Sequence, residues 1–206
     1  MKLESIGILI ERREFGERDL IASFFTRDFG VLTGMLRGGA VARDKKLVGQ
    51  FGAVSWNARL DSDLGSIHFE PQKNLIAAAM ADFDKLKYFS AMFGILKSFL
   101  PERESYPELF AQTVNFLDCG DYLQWELVLM RELGYSLDTA KCAGCGCADN
   151  LEFLSPKTGR AVCGDCAGAW APQMHKLPLN LEITKKFLNK IADVQGIKLP
   201  TARDIL

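Results

Sequence analysis

Five of the six cysteines fall between residues 142 and 166. Cys142-Ala-Gly-Cys145 and Cys163-Gly-Asp-Cys166 are separated by 17 residues, giving the spacing C-x2-C-x17-C-x2-C. That spacing lies in the range of four-cysteine zinc sites. Two residues between ligands let each pair turn back on itself and offer both sulfurs to one tetrahedral Zn²⁺ at about 2.3 Å. Four thiolates leave no open position for a substrate, so Cys142, Cys145, Cys163 and Cys166 read as ligands of a structural zinc. Cys147 is an alternative to Cys145, at a poorer spacing from Cys142. A second reading has the same knuckle touching DNA or a partner. A redox role for either pair needs a thioredoxin-like βαβ setting, and that pattern is absent. Cys119, alone on a helical stretch, reads as a small apolar residue.

The second group with chemistry to offer is basic. Arg37, Arg43, Lys45 and Lys46 set four positive charges against Asp44 within ten residues. Arg12 and Arg13 end a first strand, and Arg59 ends the polar face of a fourth. On a small barrel, a basic loop beside a polar sheet face can track a phosphate backbone. The plainer alternative is a solvated loop with scattered surface charge. His68 reads as a surface or hydrogen-bonded residue. Phe24, Phe25 and Trp56 read mainly as core, with a weaker alternative in base stacking. Catalytic signatures are missing: there is no G-x4-G-K-[ST], no G-x-G-x-x-G and no G-x-S-x-G. Asp61 and Asp63 sit in a predicted hairpin turn, where Asp is a turn former. Nothing calls for an enzyme.

The elements that must position these residues change character along the chain. Ile6, Ile8 and Ile10 alternate with Gly7, Leu9 and Glu11. Further strands are expected at Leu20 to Thr26, Val31 to Arg37, Ala53 to Leu60 and Ser66 to Glu70. Short strands at this spacing suggest a small barrel or sandwich. For the last pair, a register with Trp56 facing Phe69 and Ala58 facing Ile67 puts the apolar residues on one side. It leaves Asp61 to Leu64 as the hairpin loop. The glycine-rich, polar stretch from Gly38 to Lys46 reads as an exposed loop.

From about Ala81 the period is helical, with Phe83, Leu86, Phe89, Phe93, Leu96 and Leu100 recurring until Pro101. Ser105 and Glu108 have the spacing of a capping box for a second helix. Asp121 opens a third, which closes near Gly134 in a left-handed conformation. Asn180 starts a last helix carrying Ile183, Phe187 and Ile191. Between the cysteine pairs, Leu151 to Leu154, the turn Ser155 to Arg160 and a returning strand resemble a zinc-ribbon hairpin. The chain is thus expected to be multi-domain α and β. A β domain covers residues 1–78. A mostly helical domain covers 79–206, with a zinc module inserted at about 139–172.

Composition sets the limits. The 206 residues hold 25 Lys and Arg against 26 Asp and Glu, a net charge of −1, with 48% hydrophobic residues. These values exclude a disordered chain or a small disulfide-stapled peptide. Residues 1–80 carry 11 basic and 10 acidic side chains, residues 81–141 carry 6 and 10, and residues 142–206 carry 8 and 6. The acid is therefore concentrated in the middle, and a near-neutral sum does not oppose local nucleic-acid binding. Glu4, Glu11, Arg12 and Arg13 interrupt the apolar run a signal peptide needs. The longest apolar run, Leu75 to Ala81, is far short of the ~20 residues of a membrane span. The expectation is a cytoplasmic, reduced protein without structural disulfides.

Several blocks together resemble the RecO family of bacterial recombination mediators. They are Gly7-Ile8-Leu9, Glu17-Arg-Asp19-Leu20-Ile21, Thr26-Arg-Asp-Phe-Gly30-Val-Leu32 and Arg37-Gly38-Gly39-Ala40 near the start. Trp125-Glu126-Leu127 and Leu133-Gly134-Tyr135 then precede the first cysteine pair, and Leu154-Ser155-Pro156-Lys157-Thr158-Gly159-Arg160 precedes the second. The resemblance implies that the β domain is a five-stranded OB-fold barrel, followed by a helical domain and a zinc module. It implies binding of single- and double-stranded DNA, annealing of complementary strands, and help in loading the RecA recombinase. The implied partners are the RecR protein and the acidic C-terminal tail of single-stranded-DNA-binding protein, with RecA engaged indirectly. The implied setting is the bacterial nucleoid. The residues expected to hold phosphates are Arg37, Arg43, Lys45 and Lys46, flanked by Arg12, Arg13 and Arg59. The rival readings are a zinc-containing protein-interaction adaptor in which DNA contact is incidental, and a zinc-dependent enzyme.

Overall fold

The structure is a computed structural model that describes residues 1–41, 46–60, 64–79 and 82–206, without the side chains of residues 78, 118 and 119. Five strands form a closed barrel: β1 (Lys2–Phe15), β2 (Asp19–Thr26), β3 (Gly30–Leu36), β4 (Gln50–Asn57) and β5 (Ser66–Asn74). Their order is β1-β2-β3-β5-β4, with β4 pairing back to β1. The β3–β5 pairing is parallel and all the others are antiparallel. This is the five-stranded OB arrangement.

Alternation decides what fills the barrel. Leu20, Ala22 and Phe24 of β2, Leu32 and Leu36 of β3, and Val54 and Trp56 of β4 point inward and share one buried cluster. Phe24 and Phe69 meet with ring centroids 4.7 Å apart. A bulge between Leu9 and Glu11 shifts the register of β1 against β2. The inward set of β1 therefore changes parity: Leu9 faces the core before the bulge, and Arg12 and Glu14 stand opposite Ala22 and Leu20 after it. Trp56 is fully buried, and its Nε1 donates to the carbonyls of Thr33 (3.0 Å) and Leu64 (3.3 Å). The Arg103 guanidinium lies 4.5 Å from its ring centroid.

The β4–β5 register corrects the sequence reading by two residues. Trp56 pairs with Ile67 and Val54 with Phe69, so Trp56 does not face Phe69, nor Ala58 Ile67. A shift of two leaves every side chain on the same face, so the core/solvent pattern alone cannot tell the two registers apart. The strands end at Asn57 and begin again at Ser66. The loop between them is longer than Asp61 to Leu64, and Asp61 and Asp63 lie outside the described residues.

Compactness groups the chain differently from a cut at residue 78. One unit is Met1–Gly120 with Ile197–Leu206, and the other is Asp121–Gly196. In the first, α1 (Phe83–Phe99) and α2 (Pro107–Cys119) join the barrel. Phe25 on β2 meets Phe110 on α2 at 5.5 Å, and Phe89 meets Phe116 edge-on at 5.7 Å. The final 3-10 turn, Thr201–Arg203, packs on α1. The capping box at Ser105 is not formed. Pro107 is the first helical residue, Tyr106 takes the cap position without a side-chain bond, and Ser105 Oγ donates to the carbonyl of Arg27 at 3.3 Å. Pro has fixed φ and needs no amide partner, so it starts the helix two residues after Ser105.

The second unit holds α3 (Tyr122–Glu132), a three-stranded sheet and α5 (Leu181–Gln195). Asp121 caps α3 by accepting from the amides of Leu123 (2.8 Å) and Gln124 (3.4 Å). Gly134 follows the helix at φ +84°, the left-handed position that favours glycine. Asn180 Oδ1 accepts from Ile183 N at 3.0 Å and starts α5. Glu126 is fully buried between these helices and accepts from Thr184 Oγ1 at 2.5 Å. The sheet has the order β7-β6-β8, from β6 (Leu151–Leu154), β7 (Ala161–Cys163) and β8 (His175–Lys176). A one-turn helix, α4 (Gly164–Ala167), follows β7. Among the described residues, no helix is long and apolar enough to cross a membrane.

Candidate metal centre and nucleic-acid surface

The two cysteine pairs come together as their spacing requires. The Sγ atoms of Cys142, Cys145, Cys163 and Cys166 all lie within 4.8 Å of one another. A tetrahedron with arms of about 2.3 Å has edges of about 3.8 Å, and Cys145 Sγ stands 3.7 Å from Cys163 Sγ. The loop folds back because Cys142 N donates to the carbonyl of Cys147 (2.8 Å) and Gly146 N to that of Cys142 (2.9 Å). Ala143 N donates to Ala161 O at 2.8 Å and ties this loop to the base of β7. Gly144 is required by close approach: a Cβ there would stand 2.9 Å from Cys166 Sγ. Cys166 itself is carried by α4, and Cys163 closes β7.

The donor set suits a divalent cation. The amides of Cys145, Cys163 and Gly144 point at Cys142 Sγ and pull that thiol down to about 5. Cys145 is lowered too, first by the backbone of Cys147. Cys166, crowded by the sulfurs of Cys163, Cys145 and Cys142, is pushed up to about 12. Four thiolates in so small a space need positive charge among them. A zinc ion held by these residues would supply that charge and tie the two knuckles together. The core around them is small: Cys142, Val162, Cys163 and Ala167, with Leu151, Phe153 and Met174 packed against it.

Cys147 is outside the mutually close four. Its Sγ lies 3.3 Å from Cys145 Sγ and its thiol is pushed up to about 12, mainly by that neighbouring sulfur. It is half-buried.

The basic residues are more dispersed than the cysteines. Arg13, Arg37 and Arg59 are exposed, and none has a salt bridge to a described residue. Arg12 is half-buried, and its Nη1 donates to the carbonyl of Lys46 at 2.9 Å. Lys46 departs from the expectation of a solvated loop: it is 8% exposed, and its amide donates to Gly39 O at 3.1 Å. Arg43 and Lys45 lie outside the described residues. Phe24, Phe25 and Trp56 are fully buried, so base stacking is closed to them and they are core. His68 is exposed and sits 3.2 Å from Glu70 on the outer face of β5. Two aromatic residues that the sequence reading passed over are exposed: Phe15, 49% accessible at the end of β1, and Trp170, 64% accessible beyond α4. For Phe15 a signal was available, since it alternates with Arg13 on a strand that outruns its apolar stretch.

Comparison with known proteins adds the rest. Residues 1–73 match the family model described as Recombination protein O N terminal, and residues 80–203 match Recombination protein O C terminal. A DNA repair protein RecO from Jannaschia sp. (strain CCS1) is 40% identical over 84% of this chain and 74% of that protein. The DNA repair protein RecO of Ruegeria sp. (strain TM1040) is 38% identical over 84% of this chain and 76% of its own length. That of Cereibacter sphaeroides (strain ATCC 17025 / ATH 2.4.3) is 34% identical over 96% and 93%.

Proposed function

The chain belongs to the RecO family of DNA repair proteins, and on that premise we propose that it is a recombination mediator. In this reading it binds single- and double-stranded DNA and anneals complementary strands. It also helps load the RecA recombinase onto DNA covered by single-stranded-DNA-binding protein. The observation that carries the reading is a closed OB barrel whose outer surface presents exposed arginines, Arg13, Arg37 and Arg59. Small barrels of this kind hold single strands through charge along the backbone and stacking faces.

Residues 1–78 are assigned as the nucleic-acid-binding domain, and residues 79–206, with the insert at about 139–172, as the helical part. Of the phosphate contacts expected from the sequence, the exposure of Arg13, Arg37 and Arg59 favours them over Lys46, which is buried. Arg12 holds the far end of the loop through the Lys46 carbonyl. Arg43 and Lys45 stay in the assignment on the sequence alone. The metal is assigned as zinc, held by Cys142, Cys145, Cys163 and Cys166 in a structural role. The protein acts by binding rather than by catalysis, in the bacterial cytoplasm at the nucleoid. RecR and the acidic tail of single-stranded-DNA-binding protein are its assigned partners. A groove lined by Tyr135, Leu137, Phe187 and Val194 and edged by Lys157 and Lys190 has the chemistry for an acidic, apolar-ended peptide.

The experiment is strand annealing and DNA binding by the full chain at two salt concentrations. Each phosphate contact to a single strand releases counterions, so log K should fall with log salt by about 0.7 per contact. Absence of binding and annealing would replace this reading with that of a protein-interaction adaptor.

A further inference from the structure

We infer that the hairpin half of the outer β1–β2–β3 face is a base-stacking platform for single-stranded nucleic acid, centred on Phe15. The inference rests on the DNA-binding reading above and gives it a specific surface. After the bulge in β1, Glu11, Arg13 and Phe15 face outward, opposite Ser23, Ile21 and Asp19 of β2. Ile21 in turn pairs with Met35 of β3. Arg13, Ile21 and Met35 thus form one row across three strands, about 10 Å wide. Phe15 sits on the same face one step nearer the hairpin, diagonal to Ile21 and within reach of it. Arg37 continues the outward set of β3 one residue past its end.

Exposure and charge decide the occupant. Phe15 is 49% accessible, and Ile21 and Met35 are half-buried. Arg13 and Arg37, both exposed, flank this apolar strip on its two outer strands. An aromatic ring beside apolar side chains with a cation on each side is what a single strand requires: faces for bases, charges for phosphates. The acids nearby do not fill it. The Asp19 carboxylate accepts the Gly38 amide at 2.8 Å, and Glu17 lies at the hairpin tip. Toward α1 the same face is closed by a polar chain. Ser23 Oγ bonds Glu11 (3.4 Å) and Thr33 (3.1 Å), and Thr33 bonds Glu102 (2.5 Å) and Lys97 (3.0 Å). That carboxylate-bearing end repels phosphate, so the strand runs over the hairpin half.

The test is equilibrium binding of the full chain to labelled oligothymidine and to a duplex of equal length, each at two salt concentrations. Phe15→Ala is expected to weaken oligothymidine binding about tenfold, the loss of one stacked base. Its salt slope is expected to stay unchanged and its duplex affinity within about twofold of wild type. Arg13→Ala/Arg37→Ala is expected to lower the slope by about 0.7 for each arginine. Phe15→Trp is expected to add fluorescence that oligothymidine quenches beyond the wild-type signal. Phe15 is a surface residue, and a thermal melt checks that each variant is folded. Unchanged oligothymidine affinity in Phe15→Ala, or an equal loss on the duplex, overturns the platform; if the arginine variant still weakens binding, the DNA-binding reading survives. Failure of the wild-type chain to bind either oligonucleotide overturns both.

Discussion

The barrel and the cysteine module solve the same problem with different means. The barrel encloses large side chains, among them Trp56, Phe24 and Leu20, all fully buried. Hydrophobic burial of that kind stabilises by roughly 1.5–3 kcal/mol per large side chain. The cysteine module has Val162 and Ala167 beside Cys142 and Cys163, with strands of two to four residues. So small a core does not stand without help, and a metal is the usual help. The difference teaches where function is free to sit. Four cysteines that close on one another leave no open position for a ligand, whereas a barrel held from within leaves its outer faces available for binding.

Breaking the proposed metal centre should have the largest effect and the most local one. Chelation, or Cys163→Ser, is expected to unfold the segment from about Cys142 to Met174. Structural zinc contributes on the order of 10 kcal/mol in small zinc domains. Hydrogen exchange should show lost protection in β6 and β7 with β1 to β5 retained. Equal loss in the barrel would end the contrast. Trp56→Ala is expected to do the reverse. It empties the barrel and costs about 3–5 kcal/mol, and a melt should show that loss while zinc content stays at one per chain. The helix caps give the smallest effects and sharpen the comparison. Asp121→Ala should cost about 1 kcal/mol as a true cap. Ser105→Ala, which removes an exposed hydrogen bond and no cap, should cost less than half as much in the same denaturant titration.

How much was legible followed from how local each determinant is. The cysteine spacing carries its own geometry, so the gathering of Cys142, Cys145, Cys163 and Cys166 was readable directly. Asp121, Gly134 and Asn180 act within one turn of their own position and were readable too. The faces of β4 and β5 were readable because the alternation has period two, whereas the bulge in β1 breaks that alternation. The absolute register of β4 on β5 was not, because a slip of two residues conserves both faces. Pro107 outcompeted Ser105 as a helix start, a contest between two valid local signals. Lys46 is buried where its backbone bonds Arg12 and Gly39, seven and more residues away, and no local pattern announces that. Phe15 was passed over although it alternates with Arg13; the bulge between Leu9 and Glu11, which no local pattern marks, is what turns both outward.

The central claim is that the arginines on the outside of the barrel hold nucleic acid. The most direct test is the salt dependence of oligothymidine binding by the full chain, compared with the variant Arg13→Ala/Arg37→Ala/Arg59→Ala. The account predicts weaker binding and a log–log slope shallower by about 0.7 for each arginine removed. Identical slopes and affinities in the two proteins would contradict it.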